Sequence, residues 1–168
     1  TSEGKSEGKP EGKSEEQPGG QKQDQVVLET SHILIATGSV PACPPIPGSS
    51  LPGVVTSDGL LDKKDMFEHL IIIGGGVIGM EFASVYSSLG HGVTVIEALD
   101  RILPTMDKEI AQNLKMIMKK RNVEIHTGAK VEEILQTEVG KGLICRYTEK
   151  DKPCEARADG ILIATGRR

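Results

Sequence analysis

One stretch restricts the fold more than any other: Ile71-Ile72-Ile73-Gly74-Gly75-Gly76-Val77-Ile78-Gly79-Met80-Glu81. A run of β-branched residues enters a glycine cluster, and a helical apolar pattern starts at once behind it. G-x-G-x-x-G by itself is a weak pattern, because glycine is common in turns. An apolar strand before it and an amphipathic helix after it give it meaning. In that setting Gly74 permits a tight turn. Gly76, without a Cβ, lets a diphosphate approach the backbone, and Gly79 lets the helix lie close on the strand. The unpaired N–H groups of the first helical turn, aided by the helix dipole, favour an anion at this corner. The second half of such a fingerprint is an acid closing the next strand, about 20 residues on. Glu97 follows the apolar run 93–96 and stands there. A carboxylate at that place can accept hydrogen bonds from both ribose hydroxyls and repels a 2′-phosphate, which favours NAD over NADP. Arg101 is close by but displaced from the strand end, and reads as a surface arginine.

The surrounding pattern gives the architecture. Residues 69–73 are predicted as a strand and 77–89 as a helix whose apolar face is Ile78, Phe82, Val85 and Leu89. Gly90 ends that helix as a left-handed cap. Residues 93–96 form the next strand. A second helix starts near Asp107 with Ile110, Leu114 and Ile117 on its inner stripe and Arg121 at its fraying end. Residues 123–125 form a third strand. Residues 130–136, 143–148 and 154–157 read as three antiparallel strands, and 161–164 as a last buried one. A short helix is expected from Ser57 and Asp58. Strand–helix alternation implies a parallel sheet with right-handed crossovers. The expected fold class is therefore α/β, a Rossmann-like parallel sheet with crossover helices and a three-stranded antiparallel β-meander inserted before the final strand.

Three regions are expected. Residues 1–25 are low complexity, built on imperfect SEGK-type repeats, and residues 2–17 hold no apolar side chain. Burial cannot offset their ordering entropy, so they read as a disordered tail or loop insertion. Residues 26–53 carry two strand candidates, 26–29 and 32–36. A segment with prolines at 41, 44, 45 and 47 follows, extended because proline forbids regular structure there. Residues 54–168 are the compact domain.

Composition excludes several function classes. Aromatic residues are 2% of the chain and Trp is absent, so a base-stacking platform is disfavoured. A net charge of −4 without a basic stripe argues against a nucleic-acid partner. No apolar run reaches the roughly 18 residues of a membrane span. The start lacks the pattern of a signal peptide, and a first residue Thr1 fits an excised segment. Cys43, Cys145 and Cys154 form no C-x-x-C pair, which leaves metal ligation unsupported and fits a reducing cytoplasm.

Two further segments carry a resemblance. Ala36-Thr37-Gly38-Ser39 leading to Pro47-Gly48, and Asp159-Gly160-Ile161-Leu162-Ile163-Ala164-Thr165-Gly166-Arg167-Arg168, resemble the entry to and exit from the NAD domain of pyridine nucleotide–disulfide oxidoreductases. The likeness covers residues 26–168. The stretch from Val95 to Pro104 is most similar to the dihydrolipoamide dehydrogenases among them. The resemblance implies that Gly74, Gly75, Gly76, Val77, Ile78 and Gly79 form the phosphate loop and helix start, and that Glu97 is the ribose acid. It also implies that Glu81 and Gly166 lie toward the nicotinamide and that the Val131 backbone lies toward the adenine. It implies NAD in this domain and FAD in the full-length enzyme, with hydride passing between them. The implied partners are the FAD and interface domains of the same chain, and a 2-oxoacid dehydrogenase or glycine cleavage complex. The family's redox cysteine pair, its first glycine fingerprint and its His–Glu pair have no match in the sequence. No residue is therefore assigned a catalytic or metal-binding role, and the chain alone is expected to be inactive. Three alternatives stay open: an NADH oxidase, coenzyme A disulfide reductase or mercuric reductase of the same family; a glycine loop that binds FAD; and a non-catalytic nucleotide-binding module.

Overall fold

The computed structural model describes residues 26–138, 140 and 142–168. The repeat-bearing tail, 1–25, lies outside the described residues. The chain divides into two units, Thr1–Ala36 and Thr37–Arg168. Residues 26–36 of the first unit carry no regular structure, and their apolar side chains are exposed. The two strands expected at 26–29 and 32–36 are therefore not formed. β-Branched composition makes a strand only where the backbone finds a neighbour to pair with.

The second unit is an α/β structure. Its elements are β1 (Val54–Thr56), α1 (Ser57–Leu61), β2 (His69–Ile73), α2 (Val77–Ser88), β3 (Gly92–Glu97), α3 (Lys108–Lys120), β4 (Val123–Thr127), β5 (Ala129–Gln136), β6 (Leu143–Glu149), β7 (Lys152–Ala158) and β8 (Gly160–Ile163). Five strands make a parallel sheet in the order β1-β8-β2-β3-β4, and β5-β6-β7 make the antiparallel meander. β1 is the one strand the sequence pattern did not announce; three residues are too few to show a period.

The central strands are largely apolar because both faces of the sheet are covered, while the edge strand β4 carries Glu124 and His126. Leu70, Ile72, Val93, Val95 and Leu162 join the cluster that holds Met80, Ala83, Tyr86 and Met118 of the helices. Ile71, Ile73, Ile96, Ile161 and Ile163 join Ile134, Leu143, Cys145 and Tyr147 of the meander. Alternate residues of one strand thus serve opposite layers, as a period of two requires.

Helices α2 and α3 both differ from the predicted orientation. The buried positions of α2 are Gly79, Met80, Ala83 and Tyr86. Val85 and Leu89 from the expected face are 52% and 61% exposed. Gly79 and Ala83 face inward because the helix lies close on the sheet, and close approach selects small residues. A search for bulky apolar spacing overlooks such a face. In α3 the stripe is displaced by about one residue: Ala111 and Met118 are buried while Ile110 and Ile117 are 58% and 48% exposed. Arg121 is exposed at the helix end and donates to the Ser84 and Ser88 hydroxyls of α2 at 3.3 and 3.2 Å. The helix ends follow known caps. Asp107 accepts the Glu109 N–H at 2.8 Å, and Gly90 takes φ +87° just beyond α2.

Candidate functional site

The carboxyl ends of β2, β3 and β8 meet where the chain leaves β2 for β3 on one side and β8 lies on the other. In open α/β sheets ligands bind at such a reversal of strand order. A cleft of about 1010 Å³ opens there. Ile73, Gly74, Gly76, Val77, Ile78, Glu97, Val131 and Gly166 are among its walls.

The floor of the cleft is built by the glycines. The Gly74 N–H donates to Ile96 O at 2.9 Å, continuing the β2–β3 ladder into the corner. Gly74 has φ +110°, and a Cβ there would stand 2.5 Å from Ala164 O. Only glycine meets both conditions. Gly79 packs its bare Cα against Gly74 O and Ile72, so α2 lies close on the strand. Gly76 is different: an added Cβ would meet nothing within 4 Å. Protein packing does not demand glycine at 76, and the open side lies in the cleft. Gly76 is also the N-cap of α2 and supplies no side chain to cap it. The first-turn amides are thus left without the side-chain partner that a Ser or Asp would supply.

Glu97 ends β3 and is only 8% exposed. Its Oε2 accepts the Gly75 N–H at 2.6 Å and its Oε1 accepts the Leu99 N–H at 2.8 Å. The carboxylate therefore fastens the glycine corner to the end of β3. Each oxygen keeps a second lone pair, so capacity to accept from sugar hydroxyls remains. Gly75 lies buried behind this bond and does not itself line the cleft.

Val131 lies on β5 where the register with β6 shifts, and is half-buried in the cleft wall. Gly166 is at φ +127° with open space beside it. Its carbonyl accepts the Ala42 N–H at 2.9 Å. Glu81 stands apart from this group. It is exposed on α2 and lines a neighbouring hollow with Asp58, Phe82 and Arg167, to which Ile78 also contributes. Sequence reasoning missed the wall formed by Pro44, Pro45 and Ile46. The proline run showed as a connection and carried no sign of where it would lie. The Thr165 hydroxyl, donating to Ala42 O at 3.1 Å, helps to hold that wall. Among the described residues no cluster of His, Cys, Asp or Glu is arranged to hold a metal ion.

The geometry suits an elongated anionic ligand: helix amides beside a bare backbone, then a carboxylate, then an apolar wall. That is the class of site found in doubly wound dinucleotide-binding domains. The family model "Pyridine nucleotide-disulphide oxidoreductase" matches residues 6–168. The dihydrolipoyl dehydrogenase of Acholeplasma laidlawii is 40% identical over 145 residues, covering 84% of this chain and 41% of that protein. The Cu(II) complex of the HOCl-induced flavoprotein disulfide reductase RclA from Escherichia coli superposes with a TM-score of 0.70 at 40% identity, over 79% of this chain and 29% of that one. The water-forming NADH oxidase of Lactobacillus brevis, bound to NADH, gives 0.66 at 27% identity, over 78% and 29%. The chain belongs to the pyridine nucleotide-disulphide oxidoreductase family. It spans less than half the length of these relatives.

Proposed function

We propose that residues 54–168 are the NAD(H)-binding domain of an FAD-dependent disulfide oxidoreductase of the dihydrolipoamide dehydrogenase kind. In this reading residues 26–53 are the end of the flavin domain and the crossover into this one, and 1–25 are a tail or insertion. The observation that carries the reading is Gly76, whose open face lies in the cleft with the first turn of α2 on one side and Glu97 on the other. The diphosphate of NAD fits the amides of Gly76, Val77 and Ile78, and its adenosine ribose fits Glu97. Val131 backs the adenine end and Gly166 the nicotinamide end, with Glu81 beyond it on α2. The bound nicotinamide supplies hydride chemistry, and FAD on the remaining domains exchanges electrons with it. This chain's own residues bind, orient and exclude water. No side chain here is assigned to the chemistry, so the isolated chain is inactive with dihydrolipoamide.

The partners of this reading are NAD(H), the FAD and interface domains, and a 2-oxoacid dehydrogenase or glycine cleavage complex. A cytoplasmic location is supported by Cys43, Cys145 and Cys154, all unpaired. Among the described residues, no helix is long and apolar enough to cross a membrane. An NADH oxidase or another disulfide reductase is the second reading, since proteins so named match over the same domain. Fluorescence titration with NADH, NADPH and FAD tests the proposal. Saturable binding of NADH ahead of NADPH, with no flavin retained, is expected. Flavin retained through purification assigns the loop to FAD, and no saturable binding of any of the three makes the chain a scaffold.

A further inference from the structure

Residues 99–106 fold back over the glycine corner, and they bond the carbonyl of Gly75 while Glu97 bonds its N–H. The Leu103 N–H donates to Gly75 O at 2.8 Å, while the Gly75 N–H is held by Glu97 at 2.6 Å. Both peptide groups of Gly75 are thereby fixed. Ile102 packs on the same residue, its Cγ2 only 2.9 Å from where a Gly75 Cβ would stand. Ile102 and Leu103 are buried. Leu103 makes this bond at φ +48°, a left-handed conformation uncommon for a residue with a side chain. Such a conformation persists where its surroundings impose it.

Arg101 braces the same turn. Its Nη2 donates to Pro104 O at 2.7 Å, closing a ring of backbone around Leu103. The Met106 N–H closes the other side on Leu103 O at 2.9 Å. The guanidinium is sunk into this strap, and its Nη1 is buried without a partner among the described residues. The expectation of a surface arginine is corrected here: Arg101 is half-buried and turned onto its own loop. It is not among the residues lining the cleft, whereas Pro104, whose carbonyl it binds, and the adjoining Thr105 are. Arg101 thus reaches the cleft only through the loop it braces.

We propose that Arg101 is a positioning residue for the nucleotide. Its bond to Pro104 O keeps the Leu103 N–H on Gly75, so that the amides of Gly76, Val77 and Ile78 are presented in one fixed arrangement. The proposal rests on the nucleotide-site reading above. Removing a charge-assisted hydrogen bond that sets this geometry weakens NADH binding by about tenfold. The test compares the unmodified chain with Arg101→Met and Arg101→Lys, by NADH titration, thermal unfolding and amide hydrogen exchange. In the unmodified chain without nucleotide, the Gly75 and Leu103 amides are expected to exchange slowly and together. Arg101→Met accelerates both and weakens NADH binding, while Arg101→Lys, which can still donate to Pro104 O, recovers most of the affinity. A residue that served stability alone would lower the thermal midpoint without singling out these two amides. Fast exchange of either amide in the unmodified chain overturns the proposal whether or not Arg101→Met folds. Parental affinity in a folded Arg101→Met overturns it while leaving the nucleotide site standing. Failure of the unmodified chain to bind NADH removes both.

Discussion

Gly76→Val separates the demands of the ligand from those of the fold. The residue is in extended conformation, φ −73° and ψ −175°, which valine adopts readily. Its Cβ would find no protein atom within 4 Å. Two small opposing effects act on stability. Valine is a poorer N-cap than glycine, and it restricts the unfolded chain, worth about 0.4–1 kcal/mol in favour of folding. The net change is within about 1 kcal/mol, a shift of roughly 5 °C or less in thermal midpoint. The ligand meets the opposite situation. Two methyl groups project into the space that a diphosphate needs, and at least two amide–phosphate hydrogen bonds are broken. At about 1.5–3 kcal/mol for each bond to a charged group, the loss is about 3 kcal/mol or more, a weakening of at least ~100-fold. Titration with NADH beside a thermal melt reads both quantities. A folded Gly76→Val that binds NADH within about threefold of the parent refutes the assignment of this corner, since that is a loss below about 0.7 kcal/mol.

Gly79→Ala should behave in the reverse way. Its Cβ lands on Gly74 O and 3.1 Å from Ile72 Cγ2, so overpacking costs about 2 kcal/mol despite the better helix propensity of alanine, visible as a lowered urea midpoint. Glu97→Gln leaves the Gly75 and Leu99 amides sharing one carbonyl oxygen where two carboxylate oxygens served. Titrations should show NADH affinity falling by about tenfold and the preference for NADH over NADPH narrowing; an unchanged NADH:NADPH ratio would argue against a ribose role. Burial pushes the Cys145 thiol from its ordinary value of 9.0 up to about 12. Burial, with lesser contributions from nearby Cys154 and Glu149, raises the Tyr147 hydroxyl likewise to about 12. Both groups keep their protons in the folded chain while the unfolded chain releases them. Their contribution is thus intact below about pH 9 and is lost as pH rises toward about 12. Urea melts across that range should show the decline, with a shallower slope in Cys145→Ala.

Much of this structure was legible because its causes are local. The strand–glycine–helix corner depends on residues adjacent in sequence, and Glu97 follows from the length of one crossover. The meander showed itself through β-rich segments and turn residues. The helix faces misled because burial on α2 falls on Gly79 and Ala83, whose inward placement depends on how close the sheet lies. On α3 two overlapping apolar stripes compete, and the packing of the helix on the sheet decides for Ala111 and Met118. The strand-like 26–36 stayed irregular, since pairing is a property of neighbours. The strap was hidden for a related reason. Nothing in the sequence around Leu103 signals a positive φ, and Arg101 looks like any charged loop residue until its donor is seen on Pro104 O. The wall at Pro44, Pro45 and Ile46 likewise comes from a segment more than twenty residues ahead of the glycines.

The central claim concerns where a dinucleotide lies, and NMR of the isotopically labelled chain titrated with NADH addresses it most directly. Saturable shifts of the Gly76, Val77 and Ile78 amides, with the Leu99 amide responding as Glu97 takes on sugar hydroxyls, are the expected result. Binding that leaves these amides unmoved and perturbs another surface would contradict the account.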